Sequence, residues 1–208
     1  MIRGKIVYRD EYVSNAFENG KDSLTKTYYN DILQKLIERL EASLKAHSQV
    51  LQVMLTVRFP SVIEPSDDNS CFQYFVEEYR RSLMLQRYDP HYVWARERTN
   101  ETARHHYHLV IFLNGNRIRY IADLSEANKY WQRALLKFYN YSGSASGLIH
   151  QSNAGFNGIN MNNGICVHRN NQALQQECIS RAAYLAKTYS KEQDSPYRAR
   201  GYGCSQLN

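Results

Sequence analysis

No two cysteines in this chain are close in sequence: Cys71, Cys166, Cys178 and Cys204 are scattered through 208 residues without a C-x-x-C pair. Neither a disulfide framework nor a redox dithiol is written in that spacing. No secretory segment opens the chain and no apolar run is long enough to span a bilayer. The expectation is therefore a reduced, cytoplasmic protein without a membrane partner. Internal repeats and low-complexity blocks are missing as well, although residues 141–171 are rich in Gly, Ser and Asn and read as turns around short strands. Negative charge is the scarcer sign, 20 Asp and Glu against 26 Lys and Arg, with a pI near 9.1. That balance leans toward an anionic partner, and a solvated basic surface is the plainer alternative. Seventeen tyrosines add aromatic faces that suit either unpaired bases or ordinary packing.

One domain with a full core fits this length. After a mixed opening with a short strand near Lys5 to Tyr8, Leu33, Leu36, Ile37, Leu40 and Leu44 recur at helical spacing within residues 24–46. Residues 51–59 alternate and end at Pro60, which predicts a strand with Leu51, Val53, Leu55, Val57 and Phe59 on its dry side. A helix over 70–86 would bury Phe72, Phe75, Val76, Tyr79 and Leu83, and strands over 92–98 and up to about Leu113 would form a hairpin. Asp123 and Glu126 read as a capping box for a third helix with Ala127, Tyr130, Trp131, Ala134 and Phe138 on its inner face. Short strands near 148–151 and 165–168 precede a last helix over 172–191. The class is α+β: an antiparallel sheet of about five strands with helices mainly on one face. Residues 1–50 form a lead-in packed on a main domain over 51–208.

The tract Arg104-His105-His106-Tyr107-His108-Leu109-Val110-Ile111-Phe112 carries the chemistry. Side chains alternate across a strand, so His106 and His108 share a face while Tyr107, Leu109, Ile111 and Leu113 take the other. Two imidazoles on one face can hold a metal ion or stand as a surface pair. With the hairpin symmetric about residues 101 and 102, Glu97 lies directly across from His106 and adds a carboxylate. This mixed donor set suits Mn²⁺ or Mg²⁺ better than a closed zinc site, which would usually show thiolates. In the final helix Ile179, Ala182, Ala183, Leu185, Ala186 and Tyr189 share an apolar arc. Tyr184, Lys187 and Lys191 point the other way. A tyrosine beside lysines is a candidate phenolate nucleophile, or an amphipathic surface side chain.

These pieces, with Leu55-Thr56-Val57-Arg58-Phe59-Pro60 ahead of them and Gly203-Cys204-Ser205-Gln206 at the close, resemble the HUH endonuclease superfamily. Within it the chain is most similar, from about Leu51 onward, to the inovirus gene-two-type replication proteins, the YagK/YfjJ C-terminal family. The His-hydrophobic-His strand is matched by His106-Tyr107-His108, the acidic ligand by Glu97, and the Y-x-x-K motif by Tyr184-Leu185-Ala186-Lys187. Many replication proteins of the superfamily carry two nucleophilic tyrosines, whereas Tyr189 is on the packed side, so one working tyrosine is expected here. The resemblance implies an RRM-like, HUH Rep-like fold and metal-dependent nicking and joining of single-stranded or locally unpaired DNA at a replication origin. Tyr184 would form a 5′-phosphotyrosine, Lys187 would hold the phosphate or stabilise the phenolate, and Arg58 and Lys191 would contact DNA. It further implies initiation of rolling-circle replication of a phage or phage-like element, with room for host replication proteins as partners. A non-catalytic nucleic-acid-binding protein on an RRM-like sheet, and a single-tyrosine transposase or relaxase, are the competing classes.

Overall fold

The computed structural model describes residues 6–8, 27–98, 104–121, 123–152, 164–187 and 200–207. Strands β1 (Ile6–Tyr8) and β2 (Thr27–Tyr29) pair antiparallel in a sheet of their own, and α1 (Asn30–Ala46) leaves directly from β2. There follow β3 (Gln49–Val57), α2 (Ser70–Leu85), β4 (His91–Glu97), β5 (His106–Asn114), α3 (Ser125–Tyr139), β6 (Ile149–Gln151) and β7 (Ile165–His168). The remaining elements are α4 (Gln172–Ala182), a 3₁₀ turn (Ala183–Ala186) and β8 (Tyr202–Cys204). The large sheet is antiparallel in the order β6-β3-β5-β4-β8, with β7 also on β3. β6 lies beside residues 55–57 of β3 and β7 beside residues 49–52. Gly164, at φ +99°, feeds β7 so close to β3 that a Cβ there would sit 2.5 Å from the Gln52 carbonyl oxygen. The expected α+β class with an open antiparallel sheet is what the chain adopts, and its main sheet has six strands.

The alternation read for β3 holds: Leu51, Val53, Leu55 and Val57, together with Phe59 beyond the strand, join Tyr107, Leu109, Ile111 and Leu113 of β5 in one buried cluster. α2 and α3 cover it with Phe72, Phe75, Val76, Tyr79, Leu83, Trp131 and Leu135. Phe72 stacks on Tyr107 with centroids 3.8 Å apart, and the Trp131 indole N–H donates to the Arg58 carbonyl at 2.9 Å. Helices on mainly one face were expected, and here the structure differs. The reverse face is also dry, because Val50, Val93, Ala95, Val110 and Phe112 project there. It is buried by α1 through Leu33, Leu36, Leu40 and Leu44 and by α4 through Cys178, Ile179 and Ala182. A sheet apolar on both sides needs two helical layers to leave water.

Two helix details also differ. Asp123 accepts from the Ser125 amide at 2.7 Å, but Glu126 does not close a capping box. It turns to α2 instead, accepting from the Ser82 hydroxyl and from Gln86 Nε2. Phe138 was expected inside; in the last turn of α3 it packs on the Tyr74 ring and stays 40% exposed, while Leu135 takes the inner position. Tyr130, read as inward too, is half-buried against the cluster. On α1, buried Arg39 donates to the Ser205 carbonyl from Nε at 3.1 Å and Nη2 at 2.6 Å, tying the segment after β8 to the helix. All four thiols are free.

Candidate metal centre

Glu97 is the last residue of β4 and His106 the first of β5, and the ladder pairs them directly. This is the register that a hairpin centred between residues 101 and 102 requires; the turn itself, 99–103, lies outside the described residues. His108, two residues on, returns to the same face. His108 Nε2 is 2.6 Å from Glu97 Oε2, His106 Nε2 is 3.3 Å from the same oxygen, and the two Nε2 atoms are 3.2 Å apart. Three donor atoms therefore converge, all within 4.8 Å of one another. Glu97 is 3% exposed, while the imidazoles sit half-buried at the mouth. A carboxylate so far from water is stable only where positive charge or N–H donors meet it.

Neighbouring strands hold this set in place. Thr56 of β3 pairs with His108 across the ladder, and its Oγ1 lies 3.1 Å from His108 Nδ1. With the proton on Nδ1 donated to that hydroxyl, the Nε2 lone pair is turned toward Glu97 and His106. Nothing in the sequence flagged Thr56 beyond its place on the same strand face. On the opposite face Tyr107 Oη donates to Asn69 Oδ1 at 2.9 Å, and Arg96 Nη1 donates to the Asp67 carbonyl at 2.7 Å, so the strands bearing the ligands are pinned from behind. His105 belongs to that side, against Phe59 and Tyr107. Burial, assisted by Arg96 and Arg98, pushes its imidazole down to about 4. It is a neutral core side chain, not a fourth ligand.

The tyrosine reaches the centre by a different route from the one expected. The last helix was read as running over 172–191 with Tyr184, Lys187 and Lys191 on an outer polar face. α4 instead ends at Ala182, the chain tightens into the 3₁₀ turn, and Lys187 is extended at φ −58°, ψ 135°. The turn lies against the sheet, so Tyr184 meets the His108 ring edge-on at 5.2 Å between centroids. Lys187 is 7% exposed, with its ammonium 4.2 Å from the centre of the Tyr184 ring. Burial pushes the Lys187 ammonium below the ordinary lysine range, and the Glu97 charge acts in the opposite direction. The apolar set of the helix is buried as read at Ile179, Ala182, Ala183, Leu185 and Ala186. Tyr189 and Lys191 lie outside the described residues. Arg58 is exposed one residue beyond β3, and its guanidinium takes no hydrogen-bond or ion-pair partner among the described residues.

Two imidazole nitrogens and a carboxylate oxygen, without a thiolate, make a set that can hold one divalent cation and leave part of its coordination sphere for another ligand. Fold and site together define an α+β protein with a metal-competent centre on a sheet face and a tyrosine laid against it. The chain belongs to the YagK/YfjJ C-terminal domain family, whose family model matches residues 13–205 and so takes in α1 and every later element. No curated protein and no solved structure matches the chain. Among the described residues no helix is long and apolar enough to cross a membrane.

Proposed function

We propose that this protein is an HUH-type endonuclease that nicks and rejoins single-stranded DNA and starts rolling-circle replication of a phage or phage-like element. The observation that carries this reading is that Tyr184 packs on His108, a member of the Glu97, His106 and His108 group. A phenol with a cation against its ring is thereby set beside a metal-competent triad, the parts a phosphoryl transfer to tyrosine needs.

Glu97, His106 and His108 would hold Mn²⁺ or Mg²⁺. Bound there, the ion supplies Lewis acidity toward a phosphate oxygen. Tyr184 Oη attacks phosphorus; the Oη–P bond forms, the P–O3′ bond breaks, and the phenol proton is given up while the leaving 3′ oxygen takes one. The products are a 5′-phosphotyrosine and a free 3′-hydroxyl. Free tyrosine is only about one part in a thousand ionised at neutral pH, so a cation held on the ring matters. Lys187 supplies it. Because the phosphoester is conserved, a 3′-hydroxyl can reverse the step and join strands. Arg58 and Lys191 would bear on the DNA backbone. A sheet-surface binder of the RRM kind needs an open aromatic sheet face, and helices cover both faces of this sheet.

The test is incubation of the full chain with 3′-labelled random-sequence single-stranded DNA and Mn²⁺. The expected result is a labelled protein band on a denaturing gel, lost with chelator and lost in His106→Ala and His108→Ala. No band, or a band indifferent to chelator and to both substitutions, contradicts the reading.

A further inference from the structure

The outer face of α3 has cations without carboxylates. Lys129, Arg133 and Lys137 are exposed at four-residue intervals, a rise of about 6 Å per step along one stripe of the helix. The one acid of the helix, Glu126, is turned onto Ser82 and Gln86 of α2. Four cations of α1 and α2 are neutralised by contrast: Lys35 and Arg39 pair with Glu38, Arg80 with Glu77, and Arg81 with Glu77 and Glu78. Among the described residues, Lys129, Arg133 and Lys137 form no ion pair; their contacts are with rings. Lys137 Nζ stands 4.0 Å over the centroid of Tyr74 and 5.7 Å from that of Phe138, and Arg133 lies 5.3 Å from that of Tyr130.

We infer that this stripe, on the side of the sheet away from the metal centre, is a second docking surface for single-stranded DNA. Charge complementarity selects a polyanion, and the aromatic rings that flank the cations select one with stackable bases. An acidic peptide would use the cations but not the rings. The inference rests on the proposed function for its partner and extends it: the same strand would be held on one face of the molecule while it is cut on the other.

The experiment uses the full chain carrying Tyr184→Phe, in chelator, so that no chemistry contributes. Fluorescence anisotropy follows binding of an oligothymidylate about twenty nucleotides long across a range of salt. Lys129→Gln/Arg133→Gln/Lys137→Gln should weaken binding roughly tenfold or more and flatten the slope of log affinity against log salt by about 2. Phe138→Ala should weaken binding roughly fivefold or more while keeping the slope, as loss of one stacked base would. Lys35→Gln/Arg81→Gln, which removes cations that are already paired, should change neither. A triple variant with parental affinity and slope overturns the inference, as does a parent chain that ignores the oligonucleotide and binds phosphatidylglycerol vesicles through these cations. If the chain with Tyr184 intact forms no covalent adduct in Mn²⁺ while the Tyr184→Phe background shows the expected slope change, nicking is refuted and the docking surface stands. If the triple variant forms the adduct when Tyr184 is intact and binds like the parent in the Tyr184→Phe background, the reverse holds.

Discussion

The Thr56 hydroxyl is a small part of the centre, yet it lies 3.1 Å from His108 Nδ1 and, where it accepts the Nδ1 proton, leaves the Nε2 lone pair to the other ligands. Partners of this kind typically contribute 10- to 100-fold in metal affinity. Thr56→Val should therefore weaken Mn²⁺ binding by roughly tenfold or more in titration calorimetry, and Thr56→Ser should restore it. Equal affinities for parent and Thr56→Val would remove Thr56 from the centre. Glu177 gives a test independent of the site. Burial raises its carboxyl above the ordinary range, with Arg181 acting in the opposite direction. A raised carboxyl favours the fold while protonated, and that contribution is lost as pH rises through its folded-state value. Glu177→Gln should thus raise Tm at pH 7 and give no gain near pH 4. A gain that is the same at both pH values would refute the burial argument. At this scale the sequence was legible where spacing alone decides: strand alternation places His106 with His108, and hairpin symmetry places Glu97 opposite His106. Lys187 was not legible, because its burial depends on the turn after α4 lying on a sheet 80 residues earlier in the chain.

Elements were legible in kind more often than in extent. The apolar spacing of α1, α2 and α3 marks their inner faces, but the same spacing continued through residues 183–187 and did not reveal the change from α to 3₁₀ winding. Residues three apart lie near each other in both, so the pattern cannot separate them. What decides the turn is tertiary: Leu185 and Ala186 are buried with the second cluster while Tyr184 packs on His108. The second helical layer is not legible in β3, whose reverse face carries Gln52 and Thr56. Gln52 is in fact buried, its amide donating to the Cys178 carbonyl at 2.9 Å. α4 also starts on a specific cap, the Asn171 side chain accepting from the Leu174 amide at 3.0 Å. Asn171→Ala should cost about 1 kcal/mol of stability in urea unfolding, with Mn²⁺ affinity unchanged because the ligands are on other elements. A large loss of metal affinity would show that the start of α4 controls the centre.

For the whole molecule, the ligands and the core are separate investments of sequence. His106 and His108 lie outside both hydrophobic clusters, so their loss leaves the core packing in place, and any fall in metal-free Tm reports the buried Glu97 carboxylate losing an imidazole neighbour. An ion bound only by the folded chain stabilises it by about 2.7 kcal/mol at a hundred times its Kd, and that gain should vanish in His106→Ala and in His108→Ala. Variants that still gain Tm on Mn²⁺ addition would place the ion elsewhere.

The central claim is that Tyr184 becomes bonded to DNA. Its direct test is peptide mass spectrometry of the adduct formed with single-stranded DNA and Mn²⁺, run beside Tyr184→Phe and Tyr189→Phe. The expected result is a nucleotide on Tyr184, no adduct in Tyr184→Phe, and an adduct close to parental in Tyr189→Phe. Tyr184→Phe should keep its DNA and metal affinity, since only the hydroxyl is removed. A nucleotide on Tyr189, on another residue, or on none would contradict the account.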